Sequence, residues 1–217
     1  CSSDLAQTKS YMWLYRTSGC CEHPIVLYDY QPDRKALRPK EFLDGFSGYL
    51  HADGYVGYHS LPSTIAVVGC WAHARRKFDE ALCSIPEKER EGCAALTGKR
   101  YCDRLFAIEK ELEKLTPDAR LEERQKQAKP VLDELLSWLK AQKAAPKSAM
   151  GKAVYYTLEQ WQYLERYLED GRLEISNNRA ERSIKPFVID RKNFLFVGDC
   201  DAGENLAVLY SLVASCD

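Results

Sequence analysis

The sequence predicts an α/β fold interrupted by a long helical insertion, and three observations carry that reading. The opening third alternates short aromatic and β-branched runs with turn residues. A continuous apolar run, Thr64-Ile-Ala-Val-Val-Gly-Cys70, has the character of a strand buried on both faces. From about Ser84 the pattern changes to charged stretches whose apolar residues recur at three- and four-residue steps, the period of an amphipathic helix.

The elements follow in order. Tyr11-Met-Trp-Leu-Tyr-Arg16 and Pro24-Ile-Val-Leu-Tyr-Asp-Tyr30, separated by Thr17-Ser-Gly-Cys20, are expected to pair as a hairpin. Pro39-Lys-Glu-Phe-Leu-Asp-Gly-Phe46 reads as a short helix with Phe42 and Phe46 on one face. Tyr49-Leu-His-Ala-Asp53 reads as a strand ending at Asp53, with Gly54 and Gly57 permitting a tight turn, and a helix is expected from Trp71 to Leu82. In the insertion, Leu105 to Leu115 and Val131 to Leu139 are the helical stretches, and Pro117, Pro130 and Pro146 predict breaks that leave two to four segments. Gly151 to Leu168 reads as one further helix. After it come Arg172-Leu-Glu-Ile175, a polar start at Ser176-Asn-Asn178, a helix through Glu181 and Ile184, a β-like Phe194-Leu-Phe-Val197, and a last helix from about Gly203. The expected domain organisation is a core formed in two parts by residues 1–83 and 151–217, with a helical insertion over residues 84–150.

Composition narrows the function. The 217 residues are 45% hydrophobic and 29% charged, enough apolar material for one sizeable core. With 31 Lys+Arg against 32 Asp+Glu the net charge is −1, which excludes a protein held on nucleic acid by overall basic excess; any DNA contact needs a local patch. Nine scattered cysteines, an odd number, read as reduced thiols of a cytoplasmic protein. No apolar run approaches the roughly 20 residues that span a bilayer, and no signal-peptide pattern opens the chain. The chain starts at Cys1 without a methionine and stops just after the helix-like run Leu206 to Ala214, so a fragment is expected.

Two segments are equipped for chemistry, His51-Ala-Asp-Gly-Tyr55 and Asn177-Asn-Arg-Ala-Glu-Arg-Ser-Ile-Lys-Pro186. An aspartate at the end of a buried strand is held rigidly, and a glutamate on a nearby helix can address the same spot. Carboxylate oxygens suit hard divalent cations, and two such ions about 3.5–4 Å apart activate the attacking oxygen and stabilise the leaving one in phosphodiester cleavage. Locally, Asp53 before Gly54 is more simply a turn former, and Glu181, three residues after Asn178, a capping-box partner. Arg179, Arg182 and Lys185 cluster on neighbouring helical faces around Glu181 and fit either phosphate contacts or a solvated basic face. Cys70-Trp-Ala-His-Ala-Arg-Arg-Lys-Phe78 gathers a thiol, an indole, an imidazole and three cations, but no Cys or His spacing there makes a zinc site. His73 is either a group that orients a phosphate or metal-bound water or a satisfied structural histidine, and Arg75, Arg76 and Lys77 form a candidate DNA-facing patch.

Taken in order, the blocks Tyr11 to Arg16, Pro24 to Tyr30, His51-Ala-Asp-Gly-Tyr-Val-Gly-Tyr58, Cys70 to Phe78, Ser176-Asn-Asn-Arg-Ala-Glu-Arg182, Arg191-Lys-Asn-Phe-Leu-Phe196 and Gly203 to Ser211 resemble the insertion-sequence-66 family of transposases. The resemblance implies an RNase-H-like fold of the DDE type: a mixed sheet flanked by helices, with an α-helical insertion before the last catalytic helix. It implies that Asp53 and Glu181 are the second and third catalytic acids and metal ligands, serving Mg2+ or Mn2+, two ions in the complete enzyme. His73, Arg75, Arg76, Arg179, Arg182 and Lys185 are then the candidates for contacts to DNA phosphates. The implied activity is metal-dependent DNA strand cleavage and strand transfer: water attacks at the transposon end, and the freed 3′ hydroxyl attacks target DNA. The implied partners are transposon-end and target DNA, bound by a homo-oligomer without a membrane, in the bacterial cytoplasm and on the nucleoid when DNA is bound.

One departure matters. The family's first catalytic aspartate lies in an Ala-Asp-Glu-Thr-like motif before the Tyr-Met-Trp strand, and this sequence has no such motif; Asp4 and Asp29 stand in the wrong context. The family's amino-terminal zinc-binding and DNA-recognition segments are also absent. The chain alone is therefore expected to be inactive, and its alternative reading is a remnant that binds only DNA or a partner. Loss of a central strand is further expected to leave sheet edges unpaired and to favour self-association.

Overall fold

The computed structural model describes residues 10–190 and 200–216. The chain divides into two compact units, one of Cys1–Phe46, Val56–Leu61 and Asn178–Asp217, the other of Ser47–Tyr55 and Pro62–Asn177.

In the first unit, β1 (Tyr11–Arg16) and β2 (Val26–Gln31) pair antiparallel from Tyr11 opposite Gln31 to Arg16 opposite Val26, as the aromatic and β-branched runs predict. Strand alternation gives this hairpin two faces. Met12 and Leu14 with Val26, Tyr28 and Tyr30 pack against Phe187 of α8 (Lys185–Asp190) and against Leu206, Ala207, Tyr210 and Ala214 of α9 (Cys200–Cys216). Beyond β2, helix α9 takes the place of a further strand: the backbone N–H groups of Val26 and Tyr28 donate to Ser215 Oγ (2.9 Å) and Ser211 Oγ (2.8 Å). On the opposite face Trp13 meets Tyr58 edge-on at 6.2 Å and Tyr15 stacks on Phe42 at 3.8 Å. The short helix α1 covers Leu37–Phe42 rather than running to Phe46, because the chain turns at Gly45 with φ +75°. Phe42 and Phe46 stay 39% and 41% exposed and share no buried face.

In the second unit, β3 (Gly48–His51) and β4 (Ile65–Val68) pair parallel, and the Ala52 N–H carries the ladder one step further to Val68 O at 3.0 Å. Beyond β4 no strand continues the sheet among the described residues. Arg166 donates to Val67 O (2.8 Å) and the Gly69 N–H donates to Tyr163 O (2.8 Å). The expected mixed sheet is thus two two-stranded sheets among the described residues, one in each unit.

Helix α2 (Trp71–Cys83) follows β4 as predicted, and its Trp71, Ala74 and Phe78 are fully buried. They share one core with Cys102 and Leu105 of α3 (Ala94–Glu111), with Val131, Leu132, Leu135 and Leu139 of α4 (Pro117–Ala141), and with Ala153 and Val154 of α5 (Ala149–Glu159). The caps explain the starts: Thr116 Oγ1 accepts from Ala119 N before Pro117, and Ser148 Oγ accepts from Gly151 N. Pro130 does not break α4, contrary to expectation. A proline inside a helix costs about 3 kcal/mol. The four side chains buried after it each contribute about 1.5–3 kcal/mol, and that sum prevails.

The single helix expected over Gly151 to Leu168 divides into α5, α6 (Trp161–Leu164) and a 3-10 turn Glu165–Leu168. Two carbonyls of this stretch are drawn to other partners, Tyr163 O to Gly69 N and Leu164 O to Trp71 Nε1 at 2.9 Å. Arg172 to Ile175 forms no strand; the Ile175 carbonyl accepts from Trp71 N at 3.1 Å. The β-like run Phe194 to Val197 lies outside the described residues. Among the described residues no helix is long and apolar enough to cross a membrane.

Candidate catalytic site

Asp53 follows the parallel pair by two residues, at its carboxyl end. It is half-buried, and its Oδ1 accepts from the Tyr55 N–H at 3.1 Å, the turn that local sequence predicts. The adjoining Gly54 leaves room for Tyr156 of α5: a Cβ added at residue 54 would come within 2.9 Å of the tyrosine hydroxyl. Burial pushes the Tyr156 phenol well above its ordinary range, with Cys70 and Asp53 adding to the rise and Arg76 opposing it. Tyr156 therefore packs against the turn that follows β3 and lies within electrostatic reach of Asp53 and Arg76.

Two histidines lie behind it. His51 Nε2 donates to the Gly69 carbonyl at 2.8 Å, an arrangement that a carbonyl acceptor makes unambiguous. Burial pushes His51 below the usual histidine range, the Glu174 carboxylate works against that, and His73 of α2 adds to it. His73 is itself half-buried beside this pair.

The expected basic patch on α2 is divided. Successive helical residues point about 100° apart. Arg75 pairs with Asp103 of α3, which also holds Lys99 at 3.1 Å, and Lys77 pairs with Glu80 at 3.1 Å. Arg76 is the member of the three that reaches the surroundings of Tyr156.

Glu181 belongs to the other unit, on the six-residue helix α7 (Asn178–Ser183), and is half-buried. The hairpin fixes this helix: Arg16 donates to Ser183 Oγ at 2.8 Å and the Tyr28 hydroxyl donates to the Ser183 carbonyl. Of the cations expected around Glu181, Arg179 lies over Gly19 in the hairpin turn, where an added Cβ would sit 2.5 Å from its guanidinium. Arg182 and Lys185 are exposed.

Sequence reasoning missed Tyr156 and Arg124. Tyr156 stands off the apolar stripe read through Val154, Leu158 and Trp161. Arg124 had a visible signal, because it falls in step with Ala128, Val131, Leu135 and Leu139 and so carries a charge into the buried face of α4.

The family model described as Transposase IS66 family matches residues 3–205. The chain belongs to the IS66 family of transposases. Three proteins of Sinorhizobium fredii (strain NBRC 101917 / NGR234) are similar to it, each named an uncharacterized protein. The protein y4qI is 34% identical over 225 residues, covering 96% of this chain and 41% of the relative. The protein y4hP is 30% identical over 231 residues with the same coverage of both chains. The protein y4jD is 35% identical over 204 residues, covering 88% of this chain and 39% of the relative. The IS66-family chain thus spans about two-fifths of the length of these relatives. No solved structure matches it.

Proposed function

We propose that this chain is the larger part of the catalytic domain of an IS66-family transposase, an RNase-H-like domain of the DDE type that cuts and joins DNA strands with divalent metal. The observation that carries the reading is Asp53 at the carboxyl end of the parallel pair, with Tyr156 and Arg76 beside it. Asp53 and Glu181 are the residues that would hold Mg2+ or Mn2+. Bound there, the metal supplies activation of the attacking oxygen and charge stabilisation on the leaving one. The donors fit in kind, since hard cations take carboxylate oxygens. They fall short in number: among the described residues no group of three or more His, Cys, Asp or Glu gathers.

The chain's own residues supply the rest. Arg76, and in the other unit Arg182 and Lys185, neutralise phosphate charge. His73 is half-buried and orients a phosphate, while Arg75 and Arg179 act through the protein contacts that hold them. Transposon-end and target DNA are the partners, bound by a homo-oligomer assembled on DNA. A second reading, a remnant that binds DNA without cutting it, is favoured by the lack, among the described residues, of a group of three or more His, Cys, Asp or Glu able to hold a metal.

The test is Mn2+ binding, followed by electron paramagnetic resonance, for the chain and for Asp53→Asn and Glu181→Gln. Binding that both substitutions abolish supports the metal site; binding that neither alters overturns it. Metal-dependent nicking of plasmid DNA would exclude the remnant reading, and the absence of salt-sensitive DNA binding would count against both readings.

A further inference from the structure

We infer that Tyr156 is a substrate-contacting residue of the Asp53 site, its hydroxyl donating a hydrogen bond to a non-bridging oxygen of the bound DNA phosphodiester. The inference rests on the reading of Asp53 as a catalytic carboxylate. It starts from Gly54, which adjoins Asp53 in the chain and packs so closely on the Tyr156 ring and hydroxyl that an added Cβ would lie 2.9 Å from the oxygen and 3.0 Å from Cε2. The phenol is thereby held against the turn that presents the carboxylate.

Among the described residues the Tyr156 hydroxyl has no hydrogen-bond partner, and it is not sealed away as the unpartnered hydroxyl of Tyr167 is. A half-buried donor without a protein acceptor, open to solvent beside a carboxylate and an arginine, is suited to an acceptor that arrives with a ligand. The ligand chemistry follows from the neighbours. Asp53 repels an anion unless a cation intervenes, Arg76 attracts one, and a phenol that stays neutral donates without adding charge. A phosphodiester oxygen beside a metal-bound carboxylate meets all three conditions.

The test uses the chain with a short fluorescein-labelled DNA duplex, its binding followed by anisotropy with Mn2+ present, for wild type, Tyr156→Phe, Arg76→Gln and Asp53→Asn. Tyr156→Phe removes only the hydroxyl. It should weaken binding about tenfold, the scale of one hydrogen bond to a charged group, and leave the melting midpoint unchanged. The slope of log affinity against log salt should stay at the wild-type value in Tyr156→Phe and fall by about one in Arg76→Gln. The Tyr156→Phe penalty should be constant from about pH 6 to about pH 9, because the phenol remains protonated throughout.

Wild-type affinity in Tyr156→Phe, or a loss accompanied by a lowered melting midpoint, overturns the inference. If Asp53→Asn removes the Mn2+-dependent part of binding while Tyr156→Phe binds as wild type, only the Tyr156 assignment falls. If Asp53→Asn changes nothing, the catalytic reading of Asp53 falls and this inference with it.

Discussion

Arg124 Nη2 meets Glu109 Oε2 at 2.6 Å between α4 and α3, with the arginine side chain wholly excluded from solvent. The same guanidinium donates to the carbonyls of Tyr167 (2.7 Å), Asp170 (3.0 Å) and Leu173 (2.8 Å). One side chain thus joins both insert helices to the segment that follows α6. Removing a single partner of a buried pair leaves an uncompensated charge or orphaned acceptors, at a cost of about 3–5 kcal/mol. Arg124→Ala is expected to lower unfolding stability by that amount, measured by urea denaturation, and a loss under about 1 kcal/mol would contradict the assignment.

His51 makes the fold sensitive to acid. Its native pKa lies below the ordinary 6.5, so the unfolded chain takes up its proton first as the pH falls. The stability that neutral His51 supports is complete above 6.5 and is lost as the pH drops toward the depressed native value. His51→Gln retains a donor to the Gly69 carbonyl without titrating. Urea midpoints at about pH 7.5 and about pH 5.5 should differ less in this variant than in wild type.

The thiols should separate into two classes. Cys20, Cys21, Cys83 and Cys216 are exposed, whereas Cys70 and Cys102 are buried. Burial, with Asp103 beside it, pushes Cys102 up to about 12. Brief native maleimide labelling read by peptide mass spectrometry should modify the first four and spare the last two until denaturant is added. Labelling of Cys102 in the native chain at the rate of Cys83 would refute this core.

Gly54 and Gly69 should respond differently to an added methyl group. At Gly54 the obstacle is the outer end of the Tyr156 side chain, which can move. At Gly69 it is backbone, with Leu164 N at 3.0 Å and the Tyr163 carbonyl carbon at 3.1 Å. Gly69→Ala is expected to cost about 1–3 kcal/mol, and Gly54→Ala less than that. Equal losses in melting experiments would argue against the close approach of β4 to α6.

Much of the fold was legible because its signals were local. The hairpin, β4, α2 and the two insert helices follow from periodicity and turn residues alone. What failed depended on distant partners. The continuity of α4 through Pro130 came from a core shared with other elements, and the change to a 3-10 turn over Glu165–Leu168 goes with the Tyr163 and Leu164 carbonyls being recruited by Gly69 and Trp71. At the candidate site, Asp53 stood out in its motif, whereas Tyr156 meets Gly54 across about a hundred residues of chain, a separation at which periodicity carries no information. The α2 patch read as three equivalent cations because sequence does not reveal that Asp103 and Glu80 engage two of them.

The serines that meet β2 and the arginine that meets β4 also bear on how copies of this chain behave at high concentration. A bare strand edge is a template on which another molecule can lengthen the sheet, and natural proteins commonly block it with charge or a covering element. Here Ser211 and Ser215 take up the N–H groups of Tyr28 and Val26, and Arg166 takes up the carbonyl of Val67, so neither strand offers those groups to a neighbour. Amyloid-like growth from these two sides is disfavoured by side chains that contribute little to either core.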